Sequence, residues 1–156
     1  MKPRTRARAF ALQVLYEVDM VAHLPGVVFQ QRLEDERIEG RVPLDEDLVE
    51  FARQIVAGVS VLTAKLDHTI ERYAPEWPFD QIASIDRNIL RMAAWEFAVS
   101  RQTPLKVAIN EAVELAKEFG SDSAPRFVNG VLGSLADHEN EIRQALAAAG
   151  QDTKLQ

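Results

Sequence analysis

The stretch IASIDRNILRMAAWEF, residues 82–97, decides the fold. Its apolar residues Ile82, Ile85, Ile89, Met92, Ala93 and Phe97 recur three and four positions apart. That is the spacing of one face of an α-helix, not the alternation of a strand. The segment is the most apolar of the helical stretches and reads as the central helix of a helical core. Trp95 and Phe97 fit in that core or at its edge.

The same period extends upstream. Leu48, Phe51, Ala52, Ile55, Val59, Leu62, Leu66 and Ile70 mark the buried face of a long helix that opens at Pro43 and runs to Tyr73. Asp45 and Asp47 lie near its start, where the helix dipole favours negative charge. Gly58 marks a close approach of two helices. The segment Pro75-Glu76-Trp77-Pro78 ends the pattern, because two prolines three apart do not fit one undistorted helix, and Trp77 is placed to pin that loop to the core. A first helix is expected from Pro3 to Met20, with Ala7, Phe10, Ala11, Val14 and Val18 as its stripe and Pro3 in the first turn. Pro25-Gly26 breaks the chain before a weaker helix over Val27–Glu36, whose end is blurred by charges and Gly40.

Downstream, Thr103-Pro104 reads as an N-cap hydroxyl followed by a first-turn proline, opening a helix from Leu105 to Phe119 that Gly120 stops. Ser121-Asp122-Ser123 offers the next cap, for a last long helix from Ala124 to Ala148. Gly130 and Gly133 within it read as close helix packing. The residues after Gly150 are expected to fray. The fold class expected is all-α.

Composition narrows the function. The chain has 156 residues, 47% hydrophobic and 27% charged, with no cysteine, which excludes disulfides, thiolate metal sites and a cysteine nucleophile. No apolar run approaches the ~20 residues of a membrane span, so a cytoplasmic protein with no membrane partner is expected. His23, His68 and His138 are scattered, and no metal-ligand spacing, nucleophile elbow or glycine-rich phosphate loop occurs. Glu111, Glu114 and Glu118 read as a solvated helix face. No catalysis, metal or cofactor is expected.

Charge is unevenly placed. The net charge is −6, yet residues 1–8 hold Lys2, Arg4, Arg6 and Arg8 and no acid, so the tip is +4 and the rest of the chain −10. Arg4 and Arg8 share a helix face, and Gln13 and Tyr16 follow one turn apart. Arginine forks match phosphate, glutamine pairs with base edges and tyrosine stacks on unpaired bases. From spacing alone this tip is either a nucleic-acid site or a solvated terminus. Phe127, between Arg126 and Asn129, is similarly a core residue or a stacking platform.

Four stretches bear on these alternatives: RARAFALQVLYEVD near the start, IDRNILRMAAWE at 85–96, PLKVAINEAVELAKEFG at 104–120 and RFVNGVLGSL at 126–135. Together, in order and spacing from residue 2 to about residue 136, they resemble the NusB family of bacterial transcription antitermination factors. The resemblance implies two small helical bundles packed together, about seven helices, in one RNA-binding domain over residues 1–150. The first bundle would span about 3–73, the second about 79–148, with 151–156 a flexible tail.

It also implies a function. NusB-like proteins pair with the ribosomal protein NusE, bind boxA RNA in nascent ribosomal RNA transcripts and join other Nus factors in an elongation complex that reads through terminators. Carried onto this chain, the RNA-binding residues would be Lys2, Arg4, Arg6, Arg8, Gln13, Tyr16, Arg126, Phe127 and Asn129, with Tyr16 and Asp86 facing NusE. Thr5 thins the arginine tract, and Pro125 shortens or re-aims the start of the last helix. Three phosphate contacts from Arg4, Arg6 and Arg8 would give a log–log salt slope of roughly −2 for single-stranded RNA. A purely protein-binding helical module, or a homodimer that hides the RNA surface, is the alternative. NusB-like domains also precede ribosomal RNA methyltransferases, but a chain stopping at Gln156 is expected to lack that catalytic domain.

Overall fold

The computed structural model describes residues 1–39 and 44–152. Among these, seven α-helices and no strand form the molecule. α1 spans Pro3–Val21, α2 Pro25–Ile38, α3 Glu46–Tyr73, α4 Ser84–Ala94, α5 Leu105–Phe119, α6 Ala124–Ala136 and α7 Glu139–Asp152. α1–α3 make one bundle and α4–α7 the other. α1 and α3 pack directly on α4, so one apolar core runs through both bundles. Ile89, Leu90, Met92 and Phe97 are fully buried in it, which fits the central role expected for this stretch.

Several boundaries differ from the sequence expectation. Pro25 does not break the chain ahead of α2 but is its first residue; α1 stops at Val21, and Ala22 turns the chain in the left-handed region at φ 55°. The start expected at Pro43 lies outside the described residues, while Asp45 caps α3, its side chain accepting the Leu48 N–H at 2.9 Å. The expected long last helix is two helices, separated at Asp137-His138. α7 continues to Asp152, beyond the expected fraying point at Gly150. Residues 153–156, most of the expected flexible tail, lie outside the described residues. Ser123 precedes α6 without a side-chain cap bond.

α4 runs on into a π-helical segment, Trp95–Ser100, closed by the Arg101 N–H on the Glu96 carbonyl (3.1 Å). Such a segment adds a residue to the turn and re-aims the side chains on it. Arg101 ends it in the left-handed region (φ 59°), and Arg143 from α7 donates to the Phe97 carbonyl at 3.3 Å. Within it, Trp95 lies against α3 at Gly58, where a Cβ would stand 2.1 Å from the indole nitrogen. Only glycine fits that approach. Gly130 of α6 similarly faces the Trp77 ring, whereas a Cβ on Gly133 would meet nothing.

Candidate nucleic-acid interface

The basic tip is not uniform. Lys2 and Arg4 are exposed and Arg6 is half-buried, but Arg8 is only 3% exposed. Its guanidinium forks onto Glu96, with Nε 2.9 Å and Nη2 2.8 Å from Oε1 and Nε 3.0 Å from Oε2. Glu111 adds a contact at 3.5 Å, and Phe51 lies under the guanidinium at 5.1 Å. The donors of Arg8, expected on phosphate, are here engaged by carboxylates, and freeing them would strand a buried charge.

Two other expectations change with it. Thr103 does not cap α5, for which Pro104 holds the cap position; its buried hydroxyl donates to Glu96 at 3.2 Å. Glu111 is not simply on a solvated face, since it accepts from Thr5 at 2.8 Å as well as facing Arg8. Together these groups fasten the start of α1 to the π-helical segment and α5.

What remains open in the first turns of α1 is cationic. Arg4 rests over the Phe51 ring at 4.7 Å from its centroid and has no carboxylate partner among the described residues; the same is true of Arg6. Stacking on an aromatic face orients a guanidinium while leaving its edge donors outward. Arg6 and Gln13 share an open groove of about 510 Å³ with Met1, Ala9, Phe10 and Phe119. Gln13 is half-buried, and its carbonyl accepts from Arg32 of α2 at 3.2 Å.

Further along α1, Tyr16 is 37% exposed and Met20 58%, about one turn apart on the surface. Asp86 lies in the first turn of α4, beside Gly120. It is 9% exposed, one carboxylate oxygen has no partner among the described residues, and burial raises its pKa above the ordinary aspartate value. On α6, Arg126 and Asn129 are exposed while Phe127 is half-buried and packs against the core, so the two readings of Phe127 share one side chain.

The far end of α1 is closed by a second network. Arg91 of α4 is buried and grips Asp67 of α3 through Nε at 2.6 Å and Nη2 at 2.8 Å, and Asp19 of α1 through Nη1 at 2.9 Å. Asn88 and Ser84 also donate to Asp19. Burial alone would lower the Arg91 pKa, but the hydrogen bonds and charges of Asp67 and Asp19 outweigh it and raise it. From sequence, Asp67 stands out only as a neighbour of His68, and neither this network nor the role of Glu96 is foreseen. Among the described residues no group of three or more His, Asp and Glu is placed to hold a metal, and no helix is long and apolar enough to cross a membrane.

These features define an all-helical double bundle whose distinguishing surface is an open cationic strip rather than an enclosed cleft. Comparison with known proteins makes the assignment specific. The NusB family model matches residues 5–137, and the chain belongs to that family. Transcription antitermination protein NusB of Roseiflexus sp. (strain RS-1) is 46% identical over 143 residues, covering 90% of this chain and 96% of that protein. That of Chloroflexus aggregans is 44% identical, covering 91% and 92%. Among solved structures, a crystal structure of antitermination factors NusB and NusE with double-stranded RNA superposes with a TM-score of 0.74 at 26% identity, covering 93% of this chain and 98% of that one. The solution structure of NusB from Aquifex aeolicus gives 0.72 at 26% identity, with 99% and 97% covered.

Proposed function

We propose that this chain is a non-enzymatic RNA adaptor of transcription antitermination in the bacterial cytoplasm. It binds boxA RNA of nascent ribosomal RNA transcripts together with NusE and, with other Nus factors, helps RNA polymerase read through terminators. The observation that carries this reading is the division of labour among the arginines of α1. Arg8 is consumed by Glu96, whereas Arg4 and Arg6, within about one turn of it, have no acidic partner among the described residues of a chain whose net charge is −6. Unneutralised cations on an acidic protein mark a local anion site, and phosphates are its natural occupant.

Lys2, Arg4 and Arg6 contact phosphates and set register; Gln13, Tyr16, Arg126, Phe127 and Asn129 lie along the path of the bases. With Lys2 in the place of Arg8, this tip keeps three phosphate contacts and a salt slope of roughly −2. That slope is modest, so a partner that adds RNA surface is physically reasonable. Tyr16 and Met20 are open and suit a protein contact, and Asp86, at the start of α4, is the further residue proposed to face NusE. Titration of a boxA-like RNA with and without NusE, at several salt concentrations, tests the reading. Tighter binding with NusE and weaker binding in Arg4→Ala/Arg6→Ala are expected; affinity unchanged by both would overturn it. Light scattering in the same samples separates a homodimer that occludes this face, which would bind RNA better on dilution.

A further inference from the structure

We infer that Asp19, near the end of α1, is a pre-oriented acceptor for an arginine of the protein partner, and that Tyr16, one turn back, is the ring on which that guanidinium rests. The inference rests on the NusE-binding reading above. It goes beyond that reading in naming an acceptor atom, the class of side chain that meets it and the residues that hold it ready.

The Asp19 carboxylate is used on one side only. Ser84 at 3.3 Å, Asn88 at 2.9 Å and Arg91 at 2.9 Å, all from α4, converge on Oδ2. Oδ1 accepts no hydrogen bond among the described residues, and the side chain is 29% exposed. Arg91 also gives two bonds to Asp67, so one guanidinium serves two carboxylates and the cluster keeps a net negative charge. A surface ion pair is ordinarily worth little, because two loose side chains must be ordered to make it. Here three donors have already fixed the carboxylate, so that cost falls on the partner alone.

The surroundings select the occupant. Tyr16 and Met20 lie three positions before and one after Asp19, and both are open. Residues three and four apart are neighbours on a helix surface. A guanidinium lying on an aromatic face can point its edge donors at a carboxylate beside the ring, and the methionine suits its apolar stem. The chain makes this arrangement itself at Arg8, which lies over Phe51 and forks onto Glu96. A carboxylate repels phosphate, so this end of α1 favours protein over RNA. Charge points the same way: outside the basic tip the chain carries −10, and a partner that shares an RNA is expected to be basic.

The experiment measures NusE binding, RNA binding without NusE and melting temperature for the unaltered chain, Asp19→Asn, Asp67→Asn and Tyr16→Ala/Met20→Ala. In Asp19→Asn the carbonyl oxygen replaces Oδ2 for the three donors, which keeps the tie to α4, and the NH₂ group stands in place of Oδ1. NusE binding should weaken about tenfold, the scale of one charge-assisted hydrogen bond, with a flatter salt dependence. RNA binding without NusE should stay within about twofold. Asp67→Asn takes a carboxylate from the same guanidinium but leaves Oδ1 of Asp19 in place. It should lower the melting temperature at least as much and leave NusE binding within about twofold.

Equal loss of NusE binding in Asp19→Asn and Asp67→Asn would overturn the inference, because Asp19 would then act only through stability. Tighter RNA binding by Asp19→Asn without NusE would overturn it too, by placing phosphate at this end of α1. NusE binding unchanged in Asp19→Asn but weakened in Tyr16→Ala/Met20→Ala would remove the acceptor and leave the partner face standing. Binding indifferent to all of these substitutions would overturn both.

Discussion

At one end of α1 an arginine is held by a glutamate; at the other an aspartate is held by an arginine, and both holders stand on α4 or its π-helical extension. Arg8 on Glu96 and Asp19 on Arg91 are mirror images in charge. They differ in what they leave uncovered. At the start of α1, pairing Arg8 spares Lys2, Arg4 and Arg6, and the surface stays cationic. At the far end Asp19 and Asp67 are absorbed together, and what remains outward includes Tyr16 and Met20. The buried pairs fix where α1 lies; the unpaired residues decide what it meets. One helix thus carries open charge near its start and open apolar surface farther on.

The two anchors are not equally robust. Glu96 and Arg8 side chains are each 4% exposed, so neither can turn to water. Glu96→Ala should cost about 3–5 kcal/mol by leaving a buried guanidinium short of its main partner, measured as a shift in the urea midpoint. A cost below about 1 kcal/mol would mean that Arg8 escapes to solvent, which would return it to the RNA-binding set. Arg91→Ala should cost less, about 2–3 kcal/mol, because the stranded Asp67 and Asp19 side chains are 24% and 29% exposed and rehydrate in part. Equal destabilisation at the two anchors would break the distinction between a sealed tie and a half-open one.

A third substitution separates structure from recognition. Arg8→Met with Glu96→Leu replaces the buried pair by apolar side chains, an exchange that is often neutral within about 1–2 kcal/mol. RNA affinity and its salt dependence should be retained. A weaker salt dependence in this double variant would show that Arg8 reaches phosphate after all.

The smallest effect concerns Asp86. Burial raises its pKa in the folded chain, so the folded state binds this proton more tightly than the unfolded state. Its ionised form therefore opposes folding at neutral pH, and that penalty fades as pH falls through the raised folded value towards about 3.9, the unfolded one. Asp86→Asn should melt at or slightly above the temperature of the unaltered chain at pH 7, with the advantage shrinking in acid. A lower melting temperature at pH 7 would mean that the carboxylate is satisfied within the fold.

Much of the architecture was legible because helical periodicity is a local signal. Ile85 to Phe97 announced the core helix, although Ile82, read onto the same face, lies in extended backbone ahead of it, and Gly58 announced a close approach whose partner, Trp95, only the fold supplies. The break between α6 and α7 was invisible for a physical reason. Leu132, Leu135, Ile142 and Leu146 keep helical phase across it, and Asp137-His138 contains neither proline nor glycine. Periodicity therefore read straight through the turn.

The candidate site was legible in part. Positive charge at residues 2–8 was plain, but which cations were free was not, since Glu96 lies 88 residues from Arg8 in sequence. A signal was nonetheless present. Ala11, Leu12 and Leu15, three, four and seven positions after Arg8, are all core residues, so Arg8 stands on the buried face of its own helix. The pairing of Gln13 with Arg32 had no such local trace, because it joins two helices across a turn.

The most direct test of the central claim, that the open cations of α1 and not the buried one bind RNA, is the salt dependence of boxA RNA binding with NusE present. Arg4→Ala/Arg6→Ala should flatten the log–log slope by roughly 1.4, at about 0.7 for each single-strand phosphate no longer neutralised, while the Arg8→Met/Glu96→Leu variant keeps the slope of the unaltered chain. An unchanged slope in Arg4→Ala/Arg6→Ala, or a flattened one in Arg8→Met/Glu96→Leu, would contradict the account.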